Sequence, residues 1–82
     1  METTIRMVRK PEAARALGRG VSTLHIDINK GLLTKPVFIG TQAKAWPDFE
    51  ITAINRARIA GKSDDEIRAL VDELHAARKV AA

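Results

Sequence analysis

Small polar side chains cluster near the start of a short segment with helical apolar spacing, in the first half of the chain. Ser22 and Thr23 open this segment, and His25 and Asn29 follow one turn apart. Hydroxyl groups and unpaired N–H groups at a helix N-terminus bind phosphate, whereas an Asn side chain bonds the edge of an adenine. The methyl groups of Ile26, on the same side, suit a thymine methyl. These residue types therefore predict contact with duplex DNA.

A second polar group lies on a predicted hairpin that follows the Lys35-Pro36 corner. Thr41, Gln42 and Lys44 lie at or beside its tip, where we expect contact with the adjacent DNA backbone or minor groove. The side chains expected to neutralise phosphates are Arg19, Lys30 and Lys35. An ordinary solvated helix would explain the spacing alone, but its combination with the hairpin and a local excess of basic residues favours DNA.

Glycine and proline residues mark the helices that must position the first group. Pro11 suits the first turn of a helix that Gly18 ends. Gly31 ends a second helix, predicted over about residues 21–30. Helical spacing predicts that the buried side of this second helix is formed by Val21, Leu24 and Ile28.

Two short strands, over residues 37–39 and 43–46, are predicted to form the ribbon around Gly40-Thr41-Gln42. Residues 5–8 alternate weakly and predict a separate short strand. Trp46 lies at the junction of ribbon and third helix, so we expect a core anchor rather than a base-stacking residue. The third helix is predicted over about residues 48–60, with one stripe formed by Phe49, Ala53, Ala57 and Ala60.

A capping box, with Ser63 as N-cap and Glu66 three residues later, starts a fourth helix that extends to about residue 79. Its apolar residues follow the i, i+3, i+4, i+7 pattern and are Ile67, Leu70, Val71 and Leu74. This face either folds back on its own domain or pairs with a second subunit, and the small size of the chain slightly favours pairing. The sequence thus predicts a DNA-binding domain over residues 1–60 and an amphipathic helix over residues 61–82, for packing or oligomerisation.

The distribution of charge supports a polyanionic partner for the first of these parts. The formal net charge of the chain is +4. Residues 1–60 contain ten Lys or Arg and five Asp or Glu, which gives a local charge of +5. Residues 61–82 contain four Lys or Arg and five Asp or Glu, which gives a local charge of −1. The first 60 residues are therefore the electrostatic candidate for binding nucleic acid.

The sequence offers no support for an enzyme, a cofactor or a membrane anchor. It contains no nucleotide-binding glycine loop and no catalytic signature. The absence of cysteine excludes disulfides and thiolate metal sites, and neither His25 nor His75 has a second ligand at metal-binding spacing. No run approaches the ~20 apolar residues of a membrane span, and residues 1–10 lack the apolar core of a signal peptide. We expect a cytoplasmic protein.

Residues 5–55 resemble a known family through a series of motifs in a fixed order. The matching segments are Pro11-Glu12-Ala13-Ala14, Gly18, Ser22-Thr23-Leu24-His25, Lys30-Gly31-Leu32, Lys35-Pro36-Val37, Ile39-Gly40, Ala45-Trp46-Pro47 and Glu50-Ile51. They resemble the AlpA-type prophage regulators, which are small winged helix-turn-helix proteins related to the MerR-like fold and to excisionases. The resemblance implies a mostly α fold with a small β-ribbon wing. It also implies DNA binding that activates prophage or mobile-element genes, or that directs an integrase toward excision.

The chain departs from this family at three positions of the second helix. The family often carries Arg where Val21 and Ile26 stand, and Tyr where His25 stands. Two cations that would contact DNA are therefore absent. The protein either recognises a different site or depends on its wing and on self-association for affinity.

The sequence as a whole predicts a winged helix-turn-helix protein that binds double-stranded DNA in a sequence-specific manner as a homo-oligomer. A transcriptional regulator and an excisionase-like recombination directionality factor, which bends DNA together with a phage-type integrase, fit equally well. The alternative from another class is a protein-interaction adaptor that uses the same fold and its last helix as a docking surface.

Overall fold

Four helices and three short strands form residues 4–81, the part of the chain that the computed structural model describes. In chain order they are β1 (Met7–Arg9), α1 (Lys10–Leu17), α2 (Val21–Asn29), β2 (Val37–Phe38), β3 (Lys44–Pro47), α3 (Asp48–Ile59) and α4 (Asp64–Ala81). Side chains are described through residue 79. Residues 1–3, which open the segment tested for a signal peptide, and Ala82, which closes the predicted 61–82 part, lie outside the described residues. The prediction of a mostly helical chain with a small β element is confirmed.

Local sequence signals set the start and the end of α1, as predicted. Pro11 occupies the first turn, where its missing N–H has no helical partner to lose. Gly18 follows the last turn with φ of 69°, a left-handed conformation that favours glycine. Three residues, 18–20, then lead into α2 at Val21.

The buried side of α2 differs from the predicted one at one position. Leu24 and Asp27 are buried and Ile28 is partly buried, but Val21 is 45% exposed, so its placement on the buried side was wrong. The position of Asp27 explains the difference. Its carboxylate receives two hydrogen bonds from Arg19, both of 2.9 Å, and this pairing allows a charged residue to replace an apolar one beneath the helix.

The predicted ribbon is part of a larger, three-stranded antiparallel sheet. β3 lies in the centre, with β1 on one side and β2 on the other. A two-stranded ribbon is barely stable alone, and the third strand joins it directly to the start of α1. Trp46 on β3 is 2% exposed, and its indole N–H donates a 2.7 Å hydrogen bond to the Thr34 carbonyl. The prediction that Trp46 anchors the core is confirmed.

The last helix folds back onto the rest of the chain. The capping box forms as predicted, because the Ser63 N–H donates to Glu66 Oε1 (2.9 Å) and the Glu66 N–H donates to Ser63 Oγ (3.2 Å). Ile67 and Val71 then join the same core as β1, α1, α2, β3 and α3. Of the two arrangements that the sequence leaves open for this face, the structure has the fold-back one, with both side chains buried in the chain's own core. The other two predicted contacts, Leu70 and Leu74, are partly buried against this core.

A buried ion pair joins the end of α4 to the start of α3. Glu50 has no exposed surface. Arg78 binds it through two hydrogen bonds, Nε to Oε2 at 2.8 Å and Nη2 to Oε1 at 2.6 Å. This pairing turns the Glu50 side of α3 inward together with Ile51 and Ile54, and it leaves Phe49, a member of the predicted stripe, exposed.

We predict that Arg78→Met lowers the free energy of unfolding by about 3 kcal/mol, because it leaves the Glu50 charge buried without a partner. Urea unfolding measures this loss. Adding Glu50→Gln to the same variant should recover part of the loss, since the buried charge is then removed. Lys79→Met, which removes an exposed cation from the same helix turn, is the control and should change stability by no more than about 0.5 kcal/mol. Equal stability of the Arg78 and Lys79 variants would contradict the role of this ion pair.

Candidate nucleic-acid interface

One side of α2 is exposed and carries no charged residue. Its members are Val21, Ser22, His25, Ile26 and Asn29, all of them exposed. Helical geometry brings these positions onto one face. Thr23 lies at its edge, half buried, and its hydroxyl donates a 2.7 Å hydrogen bond to the Gly20 carbonyl. The face thus offers hydroxyl, imidazole, amide and methyl groups to a partner.

A groove of about 350 Å³ separates this side of α2 from the β2–β3 hairpin. His25 and Asn29 line it from α2, and Lys35 and Lys44 line it from the hairpin side. Lys10, at the start of α1, completes its rim. We call this feature the lysine groove. Its apolar lining is formed mainly by Leu24, Ile28, Phe38 and Trp46.

The structure thus brings together four of the residues predicted to contact DNA, and it adds Lys10. The sequence did not point to Lys10, because the strand predicted over residues 5–8 was separate from the ribbon. Pairing of β1 with β3 places Arg9 opposite Ala45, so the next residue reaches the hairpin. A strand prediction that joined β1 to the ribbon would have found it.

The lysines of the groove take no part in the ion pairs of the described residues. Within the described residues the ion pairs are Arg6–Glu12, Arg19–Asp27, Arg58–Asp64, Lys62–Glu66, Arg68–Asp65 and Arg78–Glu50. Lys10, Lys35 and Lys44 have no carboxylate partner among those residues. The ammonium group of Lys44 lies 5.1 Å from the centroid of the Phe38 ring, within cation–π range. Three uncompensated charges around one groove favour an anionic partner.

Two predicted phosphate contacts, Arg19 before α2 and Lys30 after it, do not line the lysine groove. Both line a separate pocket of about 430 Å³, together with Asp27 and Arg58. The charge of Arg19 is balanced there by Asp27. The hairpin residues Thr41 and Gln42 are exposed, as expected for a tip, and they do not line the lysine groove.

The Lys35 backbone is held in place by α4. Its N–H donates to His75 Nε2 at 3.0 Å, and its carbonyl accepts a hydrogen bond from Arg78 Nη2 at 2.6 Å. Burial, and then the positive charge of Arg78, lower the pKa of His75 below its usual value of 6.5. The contact with Lys35 requires the same neutral form, because a doubly protonated imidazole has no acceptor.

The described residues contain no group of three or more His, Cys, Asp or Glu side chains placed to hold a metal ion. No helix within residues 4–81 combines the length and the apolar character needed to cross a membrane. No protein-family model, curated protein or solved structure matches this chain. The similarity to AlpA-type regulators therefore stays a prediction from the motifs.

We predict that acidification destabilises the wild-type protein more than it destabilises the His75→Gln variant. The pKa of His75 is lower in the folded chain, so the unfolded chain binds a proton first as the pH falls below 6.5. The protein then loses stability as the pH falls, until the pH is below the pKa of His75 in the folded chain. Gln does not titrate, and its Oε1 can still accept the Lys35 N–H. Thermal unfolding between about pH 7.5 and about pH 5.5 tests this difference.

The control for this experiment is His25→Gln, which removes the exposed histidine of α2 and leaves His75 in place. It should keep the greater part of the wild-type pH dependence. The charged groups that face His75 are Arg78 and Asp72 on α4, Glu50 on α3 and Lys35 before β2. A His75→Gln variant with the pH dependence of the wild type would contradict the prediction.

Proposed function

We propose that this chain is a sequence-specific, duplex DNA-binding protein of winged helix-turn-helix type. In this proposal α1 and α2 are the helix-turn-helix, and the β2–β3 hairpin is the wing. The observation that carries it is the lysine groove beside the uncharged, exposed side of α2. The three lysines of the groove and the side chains on the uncharged side of α2 all face solvent, so the core does not need them.

The chemistry of the two features fits two different parts of a duplex. An α-helix enters the major groove, where Asn29 and His25 can bond base edges and the Ile26 methyls can touch thymine. Phosphates then flank the helix on both sides. The lysine groove lies along one flank, so its three ammonium groups would neutralise one sugar–phosphate strand. The tip residues Thr41 and Gln42 would follow that strand toward the minor groove.

Transcriptional regulation and excisionase-like control of recombination remain the two roles of this proposal, the second with a phage-type integrase as partner. We expect a homo-oligomer on DNA in both roles, and the excisionase-like role also needs several copies side by side that bend the DNA. The buried face of α4 does not supply the contact between copies, because Ile67 and Val71 lie in the core. The adaptor alternative, which uses the last helix as a docking surface, would then have to use the exposed side of α4.

Selection of bound sites from a random duplex pool is the direct test, followed by affinity measurements over a range of salt concentrations. We expect one preferred site and an affinity that falls steeply with salt. Weak binding without a preferred site would defeat the proposal. Solution mass with and without the selected duplex reports how many copies bind. Binding at one operator supports regulation, and phased binding with bending supports a role in excision.

We predict that Lys44→Gln lowers affinity for all duplexes alike and reduces the slope of log affinity against log salt by about 0.9, the value for one phosphate contact. Lys62→Gln is the matched control. It removes the same charge from a residue that pairs with Glu66 and lines a different surface. Its effect on the slope should be much smaller. Equal slopes for the two variants would mean that the lysine groove does not hold the DNA backbone.

We predict that Asn29→Ala relaxes sequence preference, with a loss of about 1–3 kcal/mol on the selected site and little loss on unrelated duplexes. His25→Ala should act in the same way if its imidazole contacts a base. Competition between the selected and a scrambled duplex measures this ratio. If Asn29→Ala and Lys44→Gln weakened both duplexes equally, the division between base contacts on α2 and backbone contacts in the groove would be wrong.

A further inference from the structure

The backbone of the segment between α2 and the hairpin is bound at several points by side chains of another element. The Lys30 carbonyl accepts a 2.8 Å hydrogen bond from Arg68 Nε, and both backbone groups of Lys35 bond to His75 and Arg78. All three partners belong to α4. The seven-residue and three-residue separations between them place them on one side of that helix. α4 therefore holds the two ends of the segment that connects α2 with β2.

The contacts at Lys35 are tied to the buried core. Arg78 bonds the Lys35 carbonyl with the same guanidinium that binds Glu50, whose side chain has no exposed surface. A planar guanidinium fixes both partners at once, because its N–H groups have set directions. The preceding carbonyl, that of Thr34, is fixed by the Trp46 indole. The backbone at Lys35 thus has little freedom relative to α3 and β3.

We propose that His75 and Arg78 are positioning residues for the lysine groove, which set the place of Lys35 relative to α2 without contacting DNA themselves. The inference rests on the proposed function. A lysine side chain is long and flexible, so the location of its backbone determines which phosphate it can reach. A backbone fixed in advance also reduces the ordering that binding would otherwise require. His75 supplies an acceptor and Arg78 a donor, so one backbone unit is held at both its polar groups.

A double-mutant cycle on Lys35 and His75 tests the inference. His75→Leu removes the acceptor, His75→Gln retains one, and Lys35→Gln removes the charge that is positioned. The affinities of the wild type, the three single variants and Lys35→Gln/His75→Leu are measured on one selected duplex over a range of salt, at about pH 7.5. The temperature is chosen so that circular dichroism reports every variant as folded.

We expect His75→Leu to weaken binding by about 2-fold to 30-fold, the range for residues that act on a site without touching its ligand. It should also lower the salt slope by about 0.9, although it removes no charge at this pH. His75→Gln should keep the affinity and the slope of the wild type. In the Lys35→Gln background, His75→Leu should have no further effect, because both changes remove the same contact.

Arg78→Lys provides a second route if His75→Leu does not fold. It retains the positive charge, but an ammonium group cannot hold Glu50 and the Lys35 carbonyl with the geometry of a guanidinium. It should lower the salt slope in the same way. A wild-type slope and affinity in a folded His75→Leu or Arg78→Lys variant would overturn the inference, as would full additivity with Lys35→Gln. A wild-type protein that binds no duplex would defeat the proposed function instead.

Discussion

The carboxylate of Glu50 lies where α3, α4 and the segment before β2 meet. An ionised carboxylate without exposed surface costs several kcal/mol unless a partner compensates its charge. Arg78 is that partner, and its remaining N–H capacity holds the Lys35 carbonyl. The last turns of α4 consequently cannot move away from α3 without exposing or stranding this charge. One ion pair therefore couples the C-terminal helix to the region that faces the proposed DNA site.

This coupling changes how the chain is divided. The sequence suggests residues 1–60 as the binding part and residues 61–82 as an addition. The fold places Ile67 and Val71 of α4 in one core with Leu24 of α2 and Trp46 of β3. A chain of 82 residues has little apolar surface to bury, so a helix with an apolar face contributes substantially to that core. Stability and the arrangement of the proposed binding surface then depend on the same helix.

The features that sequence could predict are those that local signals determine. Pro11 and Gly18 delimit α1, and Ser63 with Glu66 starts α4, because the groups that interact lie within a few residues of one another. The features that it could not predict join distant residues. Pairing of β1 with β3 brings Lys10 to the groove, and Arg19 allows Asp27 to be buried. Helical spacing cannot reveal a buried acid whose partner lies in the preceding turn, and so it assigned Val21 to the wrong side.

The fold places some cations in ion pairs and leaves others without a carboxylate partner, a difference that the net charge does not show. Among the described residues six cations are engaged in ion pairs, whereas the three lysines around the groove have no carboxylate partner. In the proposed complex this division matters, because α2 presents Val21 and Ile26 where the family it resembles often has Arg. A neutral helix face can approach base edges closely but attracts phosphate weakly. Attraction must then come from the flank of the helix, where the backbone of Lys35 is held by α4.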